Sequence, residues 1–151
     1  MDREFAELTW HDDTIYGFRL EPGDPDRGDW TSDLVLDIDH IVEWICGTDG
    51  KVTFRVAPAT LTFHDTTDLR VAFDCDRGHQ VALSPLSIAS IVREPIQDQK
   101  VCLDRPYWRW RIELNDPQGG EIAFGASGFT QTLRAEPKLC AEQRLPAHER
   151  A

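Results

Sequence analysis

The fold is decided by the stretch LVLDIDHIVEWIC, residues 34–46, in which apolar side chains alternate with acidic ones. Successive side chains of a β-strand point to opposite faces, so this period of two predicts a strand with one buried and one solvated face. The face predicted to pack on the core carries Leu34, Leu36, Ile38, His40 and Val42. The face predicted to meet water carries Val35, Asp37, Asp39, Ile41 and Glu43. The apolar pairs Ile41-Val42 and Trp44-Ile45 break the alternation, which indicates a bulge or bend there.

Further strands are predicted on both sides of this stretch. Strict alternation recurs over residues 69–74 and 107–114, and β-forming residues fill shorter runs between turns such as Asp49-Gly50. The predicted buried set in the second of these segments is Trp108, Trp110, Ile112 and Leu114, and the exposed set is Tyr107, Arg109, Arg111 and Glu113. About eight or nine short strands predict an all-β or β-dominated α+β domain, folded as an antiparallel sandwich or an open barrel.

The domain organisation is predicted to be simple. The 151 residues, 40% of them hydrophobic, suit one domain large enough to fold without disulfides. This domain is expected to span residues 1–144 and to end in a short helix over 137–144, with a loose tail over 145–151. The first ten residues, MDREFAELTW, lack a secretory signal, and the four cysteines form no C-x-x-C pair. These features predict a cytoplasmic protein with reduced thiols.

The acidic charge is concentrated at one end of the sequence. Residues 1–50 hold 14 acidic side chains and three arginines, which accounts for the whole formal net charge of −11. Such a field repels nucleic acid and anionic membranes, and no apolar run approaches the roughly 18 residues of a membrane span. The partners it favours are a basic protein, a cationic ligand or a metal ion. The alternative is a solvated acidic face, with internal pairing to arginines of the remaining sequence.

One candidate metal site combines His11 and Asp12 with Asp37 and Asp39. Carboxylates two residues apart on a strand lie on the same face, roughly 7 Å apart, and with an imidazole they can ligate a divalent ion or perform acid–base chemistry. The same alternation puts His40 on the opposite face. In the alternative interpretation the two aspartates are solvated and His40 is a hydrogen-bonded core histidine.

Three other motifs are weaker. The acidic segment with Asp24, Asp26, Asp29 and Asp33 departs from the EF-hand pattern, and we predict a loop folded by Asp-to-backbone turns instead. Cys75 and His79 supply two zinc ligands at most, and only Cys102 or His64 are candidates to complete the site. The cationic aromatic set of Arg105, Tyr107, Arg109 and Arg111 is predicted to pair across the sheet with acidic residues such as Asp37, Asp39 and Glu43.

A family resemblance rests on residues 10–13, Gly17, residues 36–44 and residues 54–61. These segments resemble those of small bacterial proteins of about this length. In size, acidity and β content the chain is also similar to the immunity proteins of bacterial polymorphic toxin systems. The resemblance implies a protein-binding role and carries over no catalytic residue.

The leading hypothesis is a non-enzymatic binding protein without a cofactor, whose acidic surface contacts a basic partner. The predicted contacts are Asp24, Asp26, Asp29, Asp37, Asp39 and Glu43, with Trp30 as an aromatic anchor. One alternative is a metal-binding or metal-dependent hydrolytic domain that uses His11, Asp12, Asp37 and Asp39. The other is a homo-oligomeric structural module joined through strand edges.

Overall fold

The computed structural model describes residues 3–73, 85–97 and 105–150. In these residues a five-residue helix precedes a series of strands that ends in a short turn of 3₁₀ helix. The elements are α1 (Arg3–Glu7), β1 (Thr14–Pro22), β2 (Ser32–Cys46), β3 (Val52–His64), β4 (Thr67–Ala72), β5 (Leu86–Pro95), β6 (Trp108–Asp116), β7 (Glu121–Ala126), β8 (Gly128–Leu133) and β9 (Lys138–Cys140), with 3₁₀ turns at Pro25–Arg27 and Ala147–Glu149. Across these residues, none of the helices has the length and apolarity needed to cross a membrane.

All the strands belong to one antiparallel sheet. Its order is β4-β7-β6-β5-β1-β2-β3-β8, and β9 also pairs with β3. The prediction of an antiparallel all-β domain is therefore confirmed. Of the two predicted architectures the open barrel is the nearer, because the strands form a single sheet that does not close on itself within the described residues.

The sheet is strongly curled around its core. Phe63 on β3 lies edge-on to Trp110 on β6 and to Phe124 on β7, with ring centroids 5.0 and 4.7 Å apart. Three strands separate β3 from β6 in the sheet order, so these rings meet only because the sheet bends back on itself. The main hydrophobic core fills the inside of this curl.

Strand β2 confirms its predicted inner face but not its predicted outer face. Leu34, Leu36, Ile38 and His40 are buried as expected. On the outer face, however, Val35, Asp39 and Ile41 are buried as well, although all three were predicted to meet water. Ile41 is buried in a second, smaller core outside the curl, where it packs with Phe54, Val56 and Leu145, and Asp39 is covered by Leu145 and Arg150 of the C-terminal segment.

The predicted bulge in β2 is confirmed. The pairing with β3 shifts register between Ile41 and Glu43, so Val42 is the extra residue. The bulge turns Val42 away from the inner face, and its side chain is exposed instead of buried as the alternation predicted.

The C-terminal segment differs from its prediction in two ways. The helix expected over residues 137–144 is absent, because Lys138–Cys140 form β9 against Phe54–Val56 of β3. Residues 145–150 do not form a loose tail: Leu145 is 3% exposed, and its N–H donates to Asp39. An apolar site and a buried acceptor on the outside of the sheet together hold the segment in place.

The alternation in β6 is confirmed for Trp110, Ile112 and Leu114, which are buried. Tyr107, just before the strand, is buried and not exposed as predicted. Its hydroxyl donates to the carbonyl oxygen of Asp65 at 2.7 Å, which gives the buried phenol the partner it needs.

Candidate functional site

The acidic loop, residues 23–31 between β1 and β2, presents four of the predicted contact residues. Within it, Asp24 Oδ1 accepts the N–H of Asp26 at 3.0 Å and so caps the 3₁₀ turn. Asp29 Oδ1 accepts both the N–H and the hydroxyl of Thr31, at 3.0 and 2.6 Å. The prediction of a loop folded by Asp-to-backbone turns is confirmed, and these bonds give the loop a defined shape.

The acidic loop is charged and partly apolar at its surface. The hydrogen bonds from the Thr31 hydroxyl and backbone hold the pKa of Asp29 below its usual range, so this carboxylate stays ionised well into the acid range. Trp30 beside it is 80% exposed, and Leu20 at the end of β1 is 53% exposed. A large aromatic side chain thus stands in water among carboxylates.

Asp37 and Asp39 lie elsewhere, in a carboxylate cluster beneath the C-terminal segment. Asp39 is fully buried and accepts three hydrogen bonds: from the Leu145 N–H at 2.9 Å, Arg150 Nε at 2.9 Å and the Tyr16 hydroxyl at 3.1 Å. Asp37 Oδ1 accepts Arg150 Nη2 at 2.9 Å and is also bonded by Arg134. The Arg150 guanidinium carbon lies 3.4 Å from the centre of the Tyr16 ring.

The electrostatics of this cluster shift the pKa values of Asp37 and Tyr16. Burial alone would raise the pKa of Asp37, but the hydrogen bonds from Arg150 and Arg134 outweigh it and hold the pKa below the usual range. Burial, followed by the charge of Asp39 and the hydrogen bond to it, raises the pKa of Tyr16 to about 12. At neutral pH, Asp37 is therefore ionised, and Tyr16 keeps its proton and donates a hydrogen bond to Asp39.

The prediction that the acidic side chains of β2 face solvent is therefore wrong for Asp39, which is buried. Asp37 is only partly exposed. Both carboxylates are bonded by guanidinium groups of the chain itself. The alternative, that these acids pair with arginines of the chain itself, is therefore correct. The predicted partner Arg111 is wrong, however, because Arg111 pairs with Glu113 of its own strand at 3.1 Å.

Glu43 does not belong to the same surface as the acidic loop. It pairs with Arg55 on β3, with Nε and Oε2 3.3 Å apart. Ser32, where the loop joins β2, is eleven residues away, which corresponds to roughly 35 Å along an extended strand. The predicted contact residues thus fall into three separate places.

The candidate metal ligands do not converge. His11 Nε2 lies 3.5 Å from Asp12 Oδ2, but Asp12 also accepts hydrogen bonds from the side-chain amides of Asn115 and Gln143. Asp37 and Asp39 are occupied by Arg150. In the part of the chain that the structure describes, His, Cys, Asp and Glu side chains form no group of three that could hold a metal ion.

The other predicted zinc ligands have separate outcomes. Cys75, His79 and Cys102 lie outside the described residues. His64, the fourth candidate, has Nε2 2.7 Å from the Thr130 hydroxyl and Nδ1 3.3 Å from Asp33 Oδ2.

A buried Asp13–His40 pair anchors the turn before β1 to β2. Asp13 is fully buried; its Oδ2 lies 2.7 Å from His40 Nδ1, and its Oδ1 accepts the N–H of Ile41 at 2.9 Å. The interpretation of His40 as a hydrogen-bonded core histidine is confirmed. Burial outweighs these favourable contacts and raises the pKa of Asp13.

The raised pKa of Asp13 predicts how the free energy of unfolding changes with pH. Folding favours the protonated carboxyl, so its contribution to stability is complete below the ordinary pKa of 3.8 and is lost as the pH rises through the folded-state value. Relative to Asp13→Asn, the wild type should therefore lose free energy of unfolding with rising pH, by about 1.4 kcal/mol per unit of pKa shift. Urea unfolding from pH 4 to pH 9 measures this difference. A wild-type advantage over Asp13→Asn that grows with pH would contradict the assignment.

Sequence reasoning missed the roles of Tyr16, Arg134 and Arg150. Each joins Asp37 or Asp39 only in the folded chain, and Arg150 comes from a position 111 residues after Asp39. No local motif marks these residues. The one available signal was the balanced charge of residues 51–151, which include the three arginines that pair with Asp37, Asp39 and Glu43: Arg55, Arg134 and Arg150.

Comparison with known proteins found no family model, no curated protein and no solved structure that matches the chain.

Proposed function

We propose that this chain is a non-enzymatic binding protein that docks a basic partner protein through the acidic loop. The observation that carries the proposal is Trp30, which is 80% exposed in a loop that also holds the charges of Asp24, Asp26 and Asp29. Tryptophan is among the residues that contribute most to binding energy at protein interfaces, and an exposed one gains most when a partner covers it.

Charge complementarity defines the partner as basic. Residues 21–33 contain five acidic side chains and one arginine, Arg27. Carboxylates around an aromatic anchor speed the encounter with a positive surface and repel negative ones. In this proposal the basic partner is a toxin enzyme, as for the immunity proteins of polymorphic toxin systems, and the carboxylates lie in the places of its substrate phosphates.

The hydrogen bonds of the acidic loop support the same proposal. Asp24 and Asp29 each bond the loop backbone, so the charges are held in position before a partner arrives. A loop that is already ordered loses less conformational entropy on binding than a mobile one, which leaves more of the interaction energy as affinity.

The test is capture of a partner from an extract of the source organism, followed by affinity measurement with the purified partner. We expect a basic protein that is retained at about 0.1 M salt and released at about 0.5 M, where screening shortens to a few Å. Trp30→Ala and the triple variant Asp24→Asn, Asp26→Asn, Asp29→Asn should each weaken binding at least about tenfold. Asparagine keeps the backbone caps, so the triple variant changes the charge and not the loop.

The matched control neutralises three exposed acids outside the loop: Glu7→Gln, Glu94→Gln and Glu136→Gln. It has the same net charge as the triple variant and should bind as the wild type does. If the two sets weaken binding equally, the interaction follows total charge and the acidic loop is not the docking site. Binding that persists unchanged at 0.5 M salt would contradict the electrostatic mechanism.

A further inference from the structure

The carboxylate cluster beneath the C-terminal segment has the anatomy of a ligand site for a guanidinium ion. Arg150 meets Asp39 through Nε and Asp37 through Nη1 and Nη2, at 2.9, 3.4 and 2.9 Å. Its flat face lies 3.4 Å from the centre of the Tyr16 ring. Two carboxylates in the plane and an aromatic ring on the face match a guanidinium, whereas an ammonium ion has neither the fork nor the face.

We infer that Asp37, Asp39 and Tyr16 form an arginine-binding site that Arg150 occupies from within the chain, and that an arginine of the basic partner takes its place. The inference rests on the proposed function for the identity of the partner. It adds a second contact to the acidic loop, and the ligand class is a guanidinium group.

Arg150 is connected to the rest of the fold by a short exposed segment, so another arginine can replace it in the site. Leu145 is packed in the second core, but Pro146, Ala147 and His148 between it and Arg150 are exposed. Only the residues after Leu145 need to move, while β9 stays paired with β3. A cavity of about 940 Å³ runs along this segment and is lined by Tyr16, Leu145 and Arg150 among others, so Arg150 and the Tyr16 ring are reached from solvent, and the carboxylates behind Arg150 become accessible when it leaves.

Binding of the partner at the acidic loop lets the partner's arginine compete with Arg150 for the site. Arg150 is tethered, and tethering gives it an effective concentration in the millimolar range, against which a free arginine competes poorly. A partner already bound at the loop is tethered as well. Ser32 and Asp37 are five residues apart on β2, roughly 17 Å, which lies within one ordinary protein interface.

The test of the site is chemical rescue of the Arg150→Ala variant. We expect this variant to melt several degrees below the wild type, because two carboxylates lose their guanidinium. Methylguanidinium at 0–20 mM should then raise its melting temperature with saturation, while methylammonium at equal ionic strength should not. Wild-type protein, whose site is filled, should respond to neither. Arg150→Gln, which retains an amide donor for the carboxylates, serves the same test if the alanine variant does not fold.

Two controls separate the site from a general effect of cations. Adding Asp37→Asn to Arg150→Ala should abolish the rescue. Arg55→Ala removes a guanidinium from the exposed pair with Glu43 and should show no rescue. An equal response of Arg150→Ala to both cations, or the absence of any response, would overturn the inference.

The rescue needs no partner, so its failure is distinguishable from failure of the proposed function. With the partner in hand, Arg150→Ala should bind it at least about tenfold more tightly than the wild type, because the internal competitor is gone. Unchanged affinity alongside successful rescue would overturn the exchange of arginines. Loss of the acidic-loop effect would overturn the proposed function and leave the rescue intact.

Discussion

Replacing Asp39 by alanine lowers the free energy of unfolding by about 3–5 kcal/mol, the range for removing one partner of a buried ion pair. The substitution leaves the Leu145 N–H and the Tyr16 hydroxyl without their acceptor and removes one of the two carboxylates on Arg150. Asp39→Asn keeps an acceptor oxygen and should lose less. Urea unfolding at neutral pH, followed by circular dichroism, measures all three proteins.

The matched control is Glu43→Ala on the same strand. Glu43 also pairs with an arginine, but both partners are largely exposed, so its loss should change the free energy of unfolding by no more than about 1 kcal/mol. If Asp39→Ala costs as little as Glu43→Ala, the C-terminal segment does not depend on this cluster. A double-mutant cycle with Arg150→Ala then reports the coupling between the two groups directly.

Replacing Trp110 by alanine should cost about 3–5 kcal/mol, as expected for a large aromatic side chain removed from a core. Trp110 is fully buried, contacts the rings of Phe63 and Phe124, and donates its indole N–H to the Ala126 carbonyl at 3.1 Å. Its loss leaves a cavity in the main core, between β6 and the side chain of Phe63 on β3. Because the indole signal itself changes, circular dichroism is the proper probe of unfolding.

Trp30→Ala is the control for that prediction. The same chemical change at an 80% exposed position should alter the free energy of unfolding by no more than about 0.5 kcal/mol. Equal losses from the two variants would mean that Trp30 is a packing residue, which would also remove the anchor from the proposed docking surface.

Local patterns predicted the fold well where the cause of the structure is itself local. The alternation in β2 identified the inner face from Leu34 to Ile38, and the break at Ile41-Val42 identified the bulge. The turns of the acidic loop followed from the short side chains of Asp24 and Asp29, whose oxygens reach only backbone a few residues away.

The outer face of β2 could not be predicted in this way. An aspartate at an outward position gives the same pattern whether water or a guanidinium covers it. Asp39 is covered by Leu145 and Arg150, and nothing within its own strand encodes that contact. The charge count likewise located the acids but not their partners. Asp37, Asp39 and Glu43 pair with arginines from residues 51–151, whose net charge is zero.

The bond between Asp39 and Arg150 has a consequence for synthesis on the ribosome. Strand β2 is complete once residue 46 has been made, but the guanidinium that covers its carboxylates is added 104 residues later. At about 5–20 residues per second that delay is roughly 5–20 s, during which both carboxylates of the nascent chain lack the guanidinium group of Arg150. Closure of this outer layer therefore has to wait until Arg150 has been added.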